Sequence, residues 1–508
     1  MGCLRLDDLR LPALLALLLL APALARAQDG EDTPEGADEP AGADDGAADE
    51  GRHGDGQPDL VALIDPLLRA RGLAGTRMSI FIGRADGGEP LYTFQPDEAL
   101  HPASNTKLIT TAAALHILGP AYSFHTDLVA GSLDDGTADR VYLVGGGDPF
   151  FVAESLWKLV DDARDAGLRR VKGDVIVDES YFGPVHLPPG YDKKPDDDAS
   201  YRAATGAASL NFNSIVVRIE PGSKPGAPVR VSTRPDTDYA IIDNDATTTD
   251  GGKERISLTA KTFKDRTKLI VRGRMPQKHA GLSVRRRIDN PPLFTGLALQ
   301  QALKDAGIKV GGKVRIGSAP EKRRLIARHD SPPLGKLVDD VNKFSNNFMA
   351  EHLLRTLGAE KGGGGGFDQG RSVVEGFLKK DVGLERFTYA NGSGLFGDTA
   401  FTARQFGLLL RFMHGRRPAM PEFAASLAIA GVDGTLRRRL RKLAPGQVRA
   451  KTGTLDGVIC ISGYIELGDG TPAVFSILVN DLKGAPWKVW RMQDQILEAL
   501  AGYRPGRD

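Results

Sequence analysis

Three apolar runs near the end of the chain, Gln447-Val-Arg-Ala-Lys-Thr-Gly453, Val458-Ile-Cys-Ile-Ser-Gly-Tyr-Ile465 and Ala473-Val-Phe-Ser-Ile-Leu-Val479, are joined through Leu455-Asp-Gly457 and Gly468-Asp-Gly470. Gaps this short cannot hold the crossover that parallel strands require, and Asp-Gly pairs suit tight reversals. The chain must therefore end in an antiparallel sheet. Trp487 to Leu500 then reads as a closing helix.

Upstream, Leu60 to Leu68 reads as a short helix, Arg77 to Gly83 as a strand, and Leu108 to Leu118 as an apolar helix stopped by Gly119-Pro120. Short β-branched runs follow at Arg140 to Val144, Asp174 to Asp178, Ser214 to Ile219 and Lys268 to Arg272, bounded by Gly, Pro and Asp. After Ser331-Pro-Pro333, the spacing of Leu334, Leu337, Val338 and Val341 is helical and continues through Leu354. The pattern is α+β, with a strand-rich middle set apart as separate small domains. The glycines Gly362 to Gly366 read as a flexible loop tip, because no Walker lysine accompanies them, and Gly145-Gly-Gly-Asp-Pro149 reads as a sharp turn.

The first residues have a different character. Arg5 and Arg10 precede the apolar run Leu11 to Leu24, and Ala25-Arg-Ala27 offers small residues at the positions a signal peptidase reads. We expect a signal peptide over 1–27, cleaved after Ala27, since about fourteen apolar residues are short for a membrane span. Residues 28–57 carry eleven acids and almost nothing apolar, the composition of a disordered acidic spacer. With both segments removed, 62 basic and 52 acidic residues leave the body near +10.

Such a body suits an anionic polymer as well as an ordinary soluble surface. Nucleic acid is disfavoured because Arg285-Arg-Arg287 and Arg437-Arg-Arg439 lack interleaved aromatics. No histidine pair has a metal-binding helical spacing with a nearby acid, so no metal or other cofactor is expected. Cys3 precedes the expected cleavage point and Cys460 is the other cysteine, so no disulfide is expected in the mature chain.

Three motifs carry chemistry: Ser104-Asn-Thr-Lys107, Ser345-Asn-Asn347 and Lys451-Thr-Gly453. Alone, Ser104 reads equally well as a helix N-cap. Together the motifs supply the parts of a serine acyl-transfer site. Ser104 is the candidate nucleophile, with its backbone N–H available to an oxyanion. Lys107, one turn later, reaches its hydroxyl. An ammonium cannot accept a proton, so Lys107 must be neutral part of the time, held so by burial and by a second cation, Lys451. Ser345 is placed to relay a proton to the leaving amine, and Asn347 to hold Lys107 and the substrate amide. Thr452 and Thr454 offer hydroxyls to a carboxylate, Gly453 admits the substrate backbone, and the Thr454 N–H is the expected second oxyanion donor.

These motifs resemble the penicillin-recognising serine enzymes. Within them the chain is similar to the low-mass D-alanyl-D-alanine carboxypeptidase/endopeptidase branch of penicillin-binding proteins. The likeness runs from about Gly75 to Tyr503 and includes "LVGGGDP" at 143–149, "SLNFNSIVV" at 209–217, "NGSGL" at 391–395 and "GVDGTLRRRL" at 431–440. Ser104 and Ser345 stand 241 positions apart, too far for a compact β-lactamase or a simple esterase. In this branch two inserted domains fill the gap. No motif residue has decayed, as would be expected of a non-catalytic wall-binding scaffold.

The resemblance implies a transpeptidase/β-lactamase-like domain, an antiparallel sheet flanked by helices, with two inserted strand-rich domains. The expected divisions are 58–123 for the first part of the main domain, 124–150 and 211–325 for inserted domain II, 151–210 for inserted domain III, and 326–508 for the rest of the main domain. It also implies a periplasmic serine-type D-Ala-D-Ala carboxypeptidase with DD-endopeptidase activity on peptidoglycan peptides. β-Lactams are then covalent inhibitors, and membrane association is at most peripheral. Asp178 resembles an acid that faces the amine of a diaminopimelate residue, or else it is a turn residue. Family members commonly follow Ser-Gly-Leu with serine and then arginine or other polar residues, whereas Ser393-Gly-Leu395 is followed here by Phe396-Gly-Asp398.

Overall fold

The computed structural model describes residues 59–505. The expected signal peptide and acidic spacer lie outside the described residues. The three C-terminal runs form strands Val448–Leu455, Val458–Glu466 and Pro472–Asn480, each antiparallel to the next. Strand Arg77–Arg84 pairs with the last of them, Ile80 opposite Ile477, and Pro90–Phe94 closes that edge. The short strand Ala428–Ile429 covers the start of Val448–Leu455 at the other edge. Six strands therefore make one antiparallel sheet that ties the two ends of the described chain together.

Both faces of this sheet are covered, and the alternation of a strand divides its side chains between them. Ile80, Ile82, Ile459, Ile461, Phe475 and Ile477 pack with helices Leu60–Leu68 and Pro486–Gly502. Phe81, Cys460, Val474 and Leu478 face the opposite cluster, which holds helices Thr106–Leu118, Asn347–Lys361 and Ala403–His414. In Thr106–Leu118 the residues from Thr106 to Leu115 are all buried, as expected of a helix enclosed by other helices.

Between His125 and Asp330 the strands pair across distant parts of the chain. Val175–Asp178 lies between Val141–Gly145 and Val314–Ile316, parallel to both, and His125–Ala130 and Arg324–Asp330 complete that five-stranded sheet. Residues 151–210 thus share a sheet with 124–150. The stretch that pairs only within itself is 214–287, in one sheet of three strands and one of four. Local periodicity marks where strands lie but not which ones meet, so this pairing was not open to the sequence.

The glycine run is also not a free tip. A Cβ on Gly365 would meet the Tyr181 carbonyl oxygen at 2.1 Å and the Phe182 Cα at 2.7 Å, so only glycine lets these two backbones touch.

Candidate active site

Ala103–Asn105 form a single 3-10 turn that leads into helix Thr106–Leu118. Ala103 is left-handed, at φ 47°, a conformation that costs a non-glycine residue about 1 kcal/mol. Local bonds hold it there: the Ala103 N–H donates to His101 Nδ1 (3.1 Å), and Thr106 Oγ1 donates to the Ala103 carbonyl (2.8 Å). Ser104 does not cap the helix. Asn105 stands at the cap position, and its Nδ2 donates to Ser462 Oγ in the central sheet at 2.7 Å. The strained turn is thereby fastened to the sheet, leaving the Ser104 hydroxyl to face a lysine.

Lys107 is fully buried. Its Nζ lies 2.8 Å from Ser104 Oγ, 2.6 Å from Asn347 Oδ1 and 3.0 Å from the Ser393 carbonyl oxygen. Asn347 Nδ2 donates to the Tyr201 carbonyl at 3.1 Å, which fixes the other end of the amide, its oxygen, toward Lys107. Two of the three oxygens around Nζ can only accept. A neutral amine donating its two N–H bonds to them keeps its lone pair for the Ser104 proton.

The second cation comes from the sheet. Lys451, also fully buried, donates to Ser345 Oγ (3.0 Å) and to the Thr452 carbonyl (2.6 Å). Ser345 is itself left-handed, at φ 56°, just ahead of helix Asn347–Lys361, whose N-cap Asn346 accepts from the Met349 N–H at 3.1 Å. Val448 uses its carbonyl toward the Ala428–Ile429 side, accepting from Ala430, while Gln447 accepts from Glu466 across the sheet. By alternation the backbone groups of Thr452 and Thr454 point to the strand edge. Pairing at that edge stops at Ala450, so the Thr454 N–H faces the cleft.

Gly453 stands where a larger residue would not fit. A Cβ there would lie 2.8 Å from the Pro102 carbonyl oxygen and 3.1 Å from the Ser104 nitrogen. The strand therefore lies against the turn that carries Ser104. Thr452 Oγ1 donates to Thr435 Oγ1 at 2.7 Å, which adds the 3-10 turn Gly434–Leu436 to this side.

Asp178 stands apart from these contacts. Its two oxygens accept from the Ser180 N–H (2.9 Å) and the Ala319 N–H (2.7 Å), and it is buried, so its carboxylate holds a strand end. Phe396 is left-handed at φ 60° and packs under the Arg202 guanidinium (5.3 Å) and edge-on to Tyr191 (5.7 Å), both from the inserted region. The Tyr191 hydroxyl meets Ser393 Oγ at 3.1 Å.

Glu351 escaped the motif reading. It is fully buried, and its carboxylate accepts from the Gly392 (3.0 Å) and Ser393 (2.8 Å) N–H groups. Burial pushes its carboxyl above the usual range, against the opposing pull of those bonds and of Lys107. A visible signal existed: Glu351, His352 and Arg355 stand among Phe348, Met349, Ala350, Leu353, Leu354 and Leu357. Arg355 donates to the carbonyls of Phe182, Thr205 and Gly365, sewing the inserted region and the glycine run to this helix.

The frame and its cleft at a sheet edge define a protein of the penicillin-binding, β-lactamase-like fold. The crystal structure of penicillin binding protein 4 (dacB) from Haemophilus influenzae matches it with a TM-score of 0.74 at 20% identity, covering 87% of this chain and 99% of that one. In sequence the chain is 34% identical over 460 residues to a D-alanyl-D-alanine carboxypeptidase of Actinomadura sp. (strain R39), covering 87% of this chain and 84% of that one. It is 24% identical over 385 residues to the D-alanyl-D-alanine carboxypeptidase DacB of H. influenzae, covering 74% and 80%. The family model of the D-Ala-D-Ala carboxypeptidase 3 (S13) family matches residues 60–500, and the chain belongs to that family.

Proposed function

We propose that this chain is a serine D-Ala-D-Ala carboxypeptidase that also opens D-alanyl cross-links of peptidoglycan and is acylated by β-lactams. The observation that carries the reading is the 2.8 Å approach of Lys107 Nζ to Ser104 Oγ, with two acceptors beside it that suit a neutral amine.

Lys107 takes the Ser104 proton as Oγ attacks the carbonyl of the penultimate D-alanine. The oxyanion settles between the Ser104 and Thr454 N–H groups. Ser345, held by Lys451, relays to the departing D-alanine nitrogen the proton that Lys107 took, which leaves Lys107 neutral again, while Thr452 and Thr454 receive the carboxylate. Water, deprotonated by Lys107, then releases the acyl group and restores Ser104. A β-lactam follows the first half of this course and leaves a slowly hydrolysed ester.

The apolar run Leu11 to Leu24 supports export to the periplasm. No helix among the described residues is long and apolar enough to cross a membrane. Asp178 is kept as a candidate for the stem-peptide amine only if it gives up its bonds to Ser180 and Ala319. The pairing pattern supports a nested arrangement, 214–287 inserted within a domain made by 125–210 and 288–330.

Mass spectrometry of the protein mixed with a penicillin tests the central reading. One adduct should form on wild type and none on Ser104→Ala, which should also release no D-alanine from a D-Ala-D-Ala peptide. An adduct on Ser104→Ala would move the nucleophile elsewhere.

A further inference from the structure

Between the nucleophile helix and helix Asn347–Lys361 runs the loop Asn391–Leu395, and its Ser393 carbonyl is one of the acceptors around Lys107. A backbone carbonyl can do this only if the loop is held in one register. Two side chains hold it from opposite sides. Thr110, one turn after Lys107, donates Oγ1 to the Gly392 carbonyl at 2.6 Å. Glu351 accepts the Gly392 and Ser393 N–H groups at 3.0 and 2.8 Å. Neither reaches Ser104, yet both act on the peptide that ends at Lys107.

We infer that Glu351 is a positioning residue of the acyl-transfer site: its carboxylate latches Gly392 and Ser393 so that the Ser393 carbonyl meets Lys107, and its charge biases the proton affinity of that amine. The inference rests on the roles given to Ser104 and Lys107 above. A structural use alone would not require a charge here, since a buried carboxylate is costly unless something repays it. Two buried lysines in one site need a counter-charge, and Glu351 is a fully buried acid beside the loop that Lys107 touches.

Charged and titratable groups face Glu351 from every side. Lys107 lies on the nucleophile helix, Tyr389 just ahead of the loop, Tyr191 on the inserted region, and Arg355 one turn later on its own helix. Lys451 stands across the cleft on Ser345. Tyr191 and Tyr389 are held neutral by burial, so the charge on which Glu351 acts is that of Lys107, which the acyl-transfer reading requires to shed its proton before Ser104 attacks. A negative neighbour favours the ammonium form of Lys107. Removing that charge therefore moves the acidic limb of acylation to lower pH, while loosening the loop lowers the rate at every pH.

The test is the second-order rate of β-lactam acylation from about pH 4 to 10, with a melting temperature for each variant. Glu351→Gln keeps the size but places an NH₂ against one of two donors. It should lose at least about tenfold in rate and move the acidic limb down by about half a pH unit or more. Glu351→Asp, which keeps the charge, should lose rate with the limb in place. Thr110→Val, which loosens the loop without touching a charge, should lose several-fold in rate with the limb in place, and it tests the latch even where Glu351→Gln does not fold.

A Glu351→Gln protein with a lowered melting temperature but wild-type rate and limb would overturn the inference. So would a Thr110→Val protein of full activity. Wild type that forms no adduct at all would instead remove the acyl-transfer reading beneath it.

Discussion

The site contains two lysine–serine pairs, and they are built in opposite ways. Lys107 and Ser104 come from one turn of backbone, three positions apart, whereas Lys451 and Ser345 come from a strand and a pre-helix turn 106 positions apart. Each has a left-handed residue at its serine, Ala103 before Ser104 and Ser345 itself. The local pair is surrounded by acceptors fixed from elsewhere in the fold, namely Asn347 and the Ser393 carbonyl. The long-range pair sits at an open sheet edge. A base needs its geometry set before substrate arrives, while a group that escorts a leaving amine must be reachable from the cleft. Both lysines are buried and both serines are partly open, so the pairs differ in what fixes them and not in how enclosed they are: acceptors ring the first, and the second joins the edge strand to the turn before a helix.

Removing each lysine breaks the comparison most directly. Lys107→Ala should cost about 10³–10⁴ in acylation, the range expected of a lost general base that also holds the nucleophile. Lys451→Ala should cost about 10² and should raise KM more for substrates with a free terminal carboxylate than for amides, because part of its role is attraction. Equal losses in kcat alone for the two variants would erase the distinction.

Gly453→Ala tests how the two pairs are kept in register. Its Cβ would press on the Pro102 carbonyl and the Ser104 nitrogen, so the strand or the turn must shift by a few tenths of an ångström. Acylation should fall about tenfold to a hundredfold, with the melting temperature changed by only a few degrees.

The smallest effect lies at Asp340, on helix Leu334–Lys343 that feeds Ser345. Burial, and then its neighbour Asp339, raises its carboxyl to about 6. A raised carboxyl binds its proton more tightly in the folded state. Its stabilising contribution is therefore present below the ordinary range, near pH 4, and is lost as pH rises through about 6. Asp340→Asn should be more stable than wild type by about 1 kcal/mol at pH 7 and flatter between pH 4 and 6 in thermal melts.

The two pairs also differ in how far the chain announces them. A serine three residues before a lysine at the head of an apolar run already states its contact, because helix geometry turns that spacing into proximity. The C-terminal hairpins were legible for the same reason, within a residue or two at most ends, since short Asp-Gly connections leave one way to pair. Nothing local shows that Arg77–Arg84 would lie beside Pro472–Asn480, or that Val175–Asp178 would slot between Val141–Gly145 and Val314–Ile316. Those pairings are decided by packing between distant parts.

Glu351 falls between these cases. An acid among apolar side chains was visible, but its partners are backbone N–H groups of a loop about forty residues on, and backbone leaves no mark in a sequence. The glycine run misled for a related reason. Five glycines signal freedom in isolation, and only the approach of Tyr181 and Phe182 turns that freedom into contact.

The central claim is that Lys107 works as a neutral amine on Ser104. The most direct measurement is the pH profile of penicillin acylation for wild type and Lys107→Arg, with adducts counted by mass spectrometry. Wild type should lose activity along one acidic limb as Lys107 takes up a proton. The arginine variant, whose guanidinium stays charged, should remain nearly unacylated at every pH. Near-normal acylation of Lys107→Arg would contradict the account.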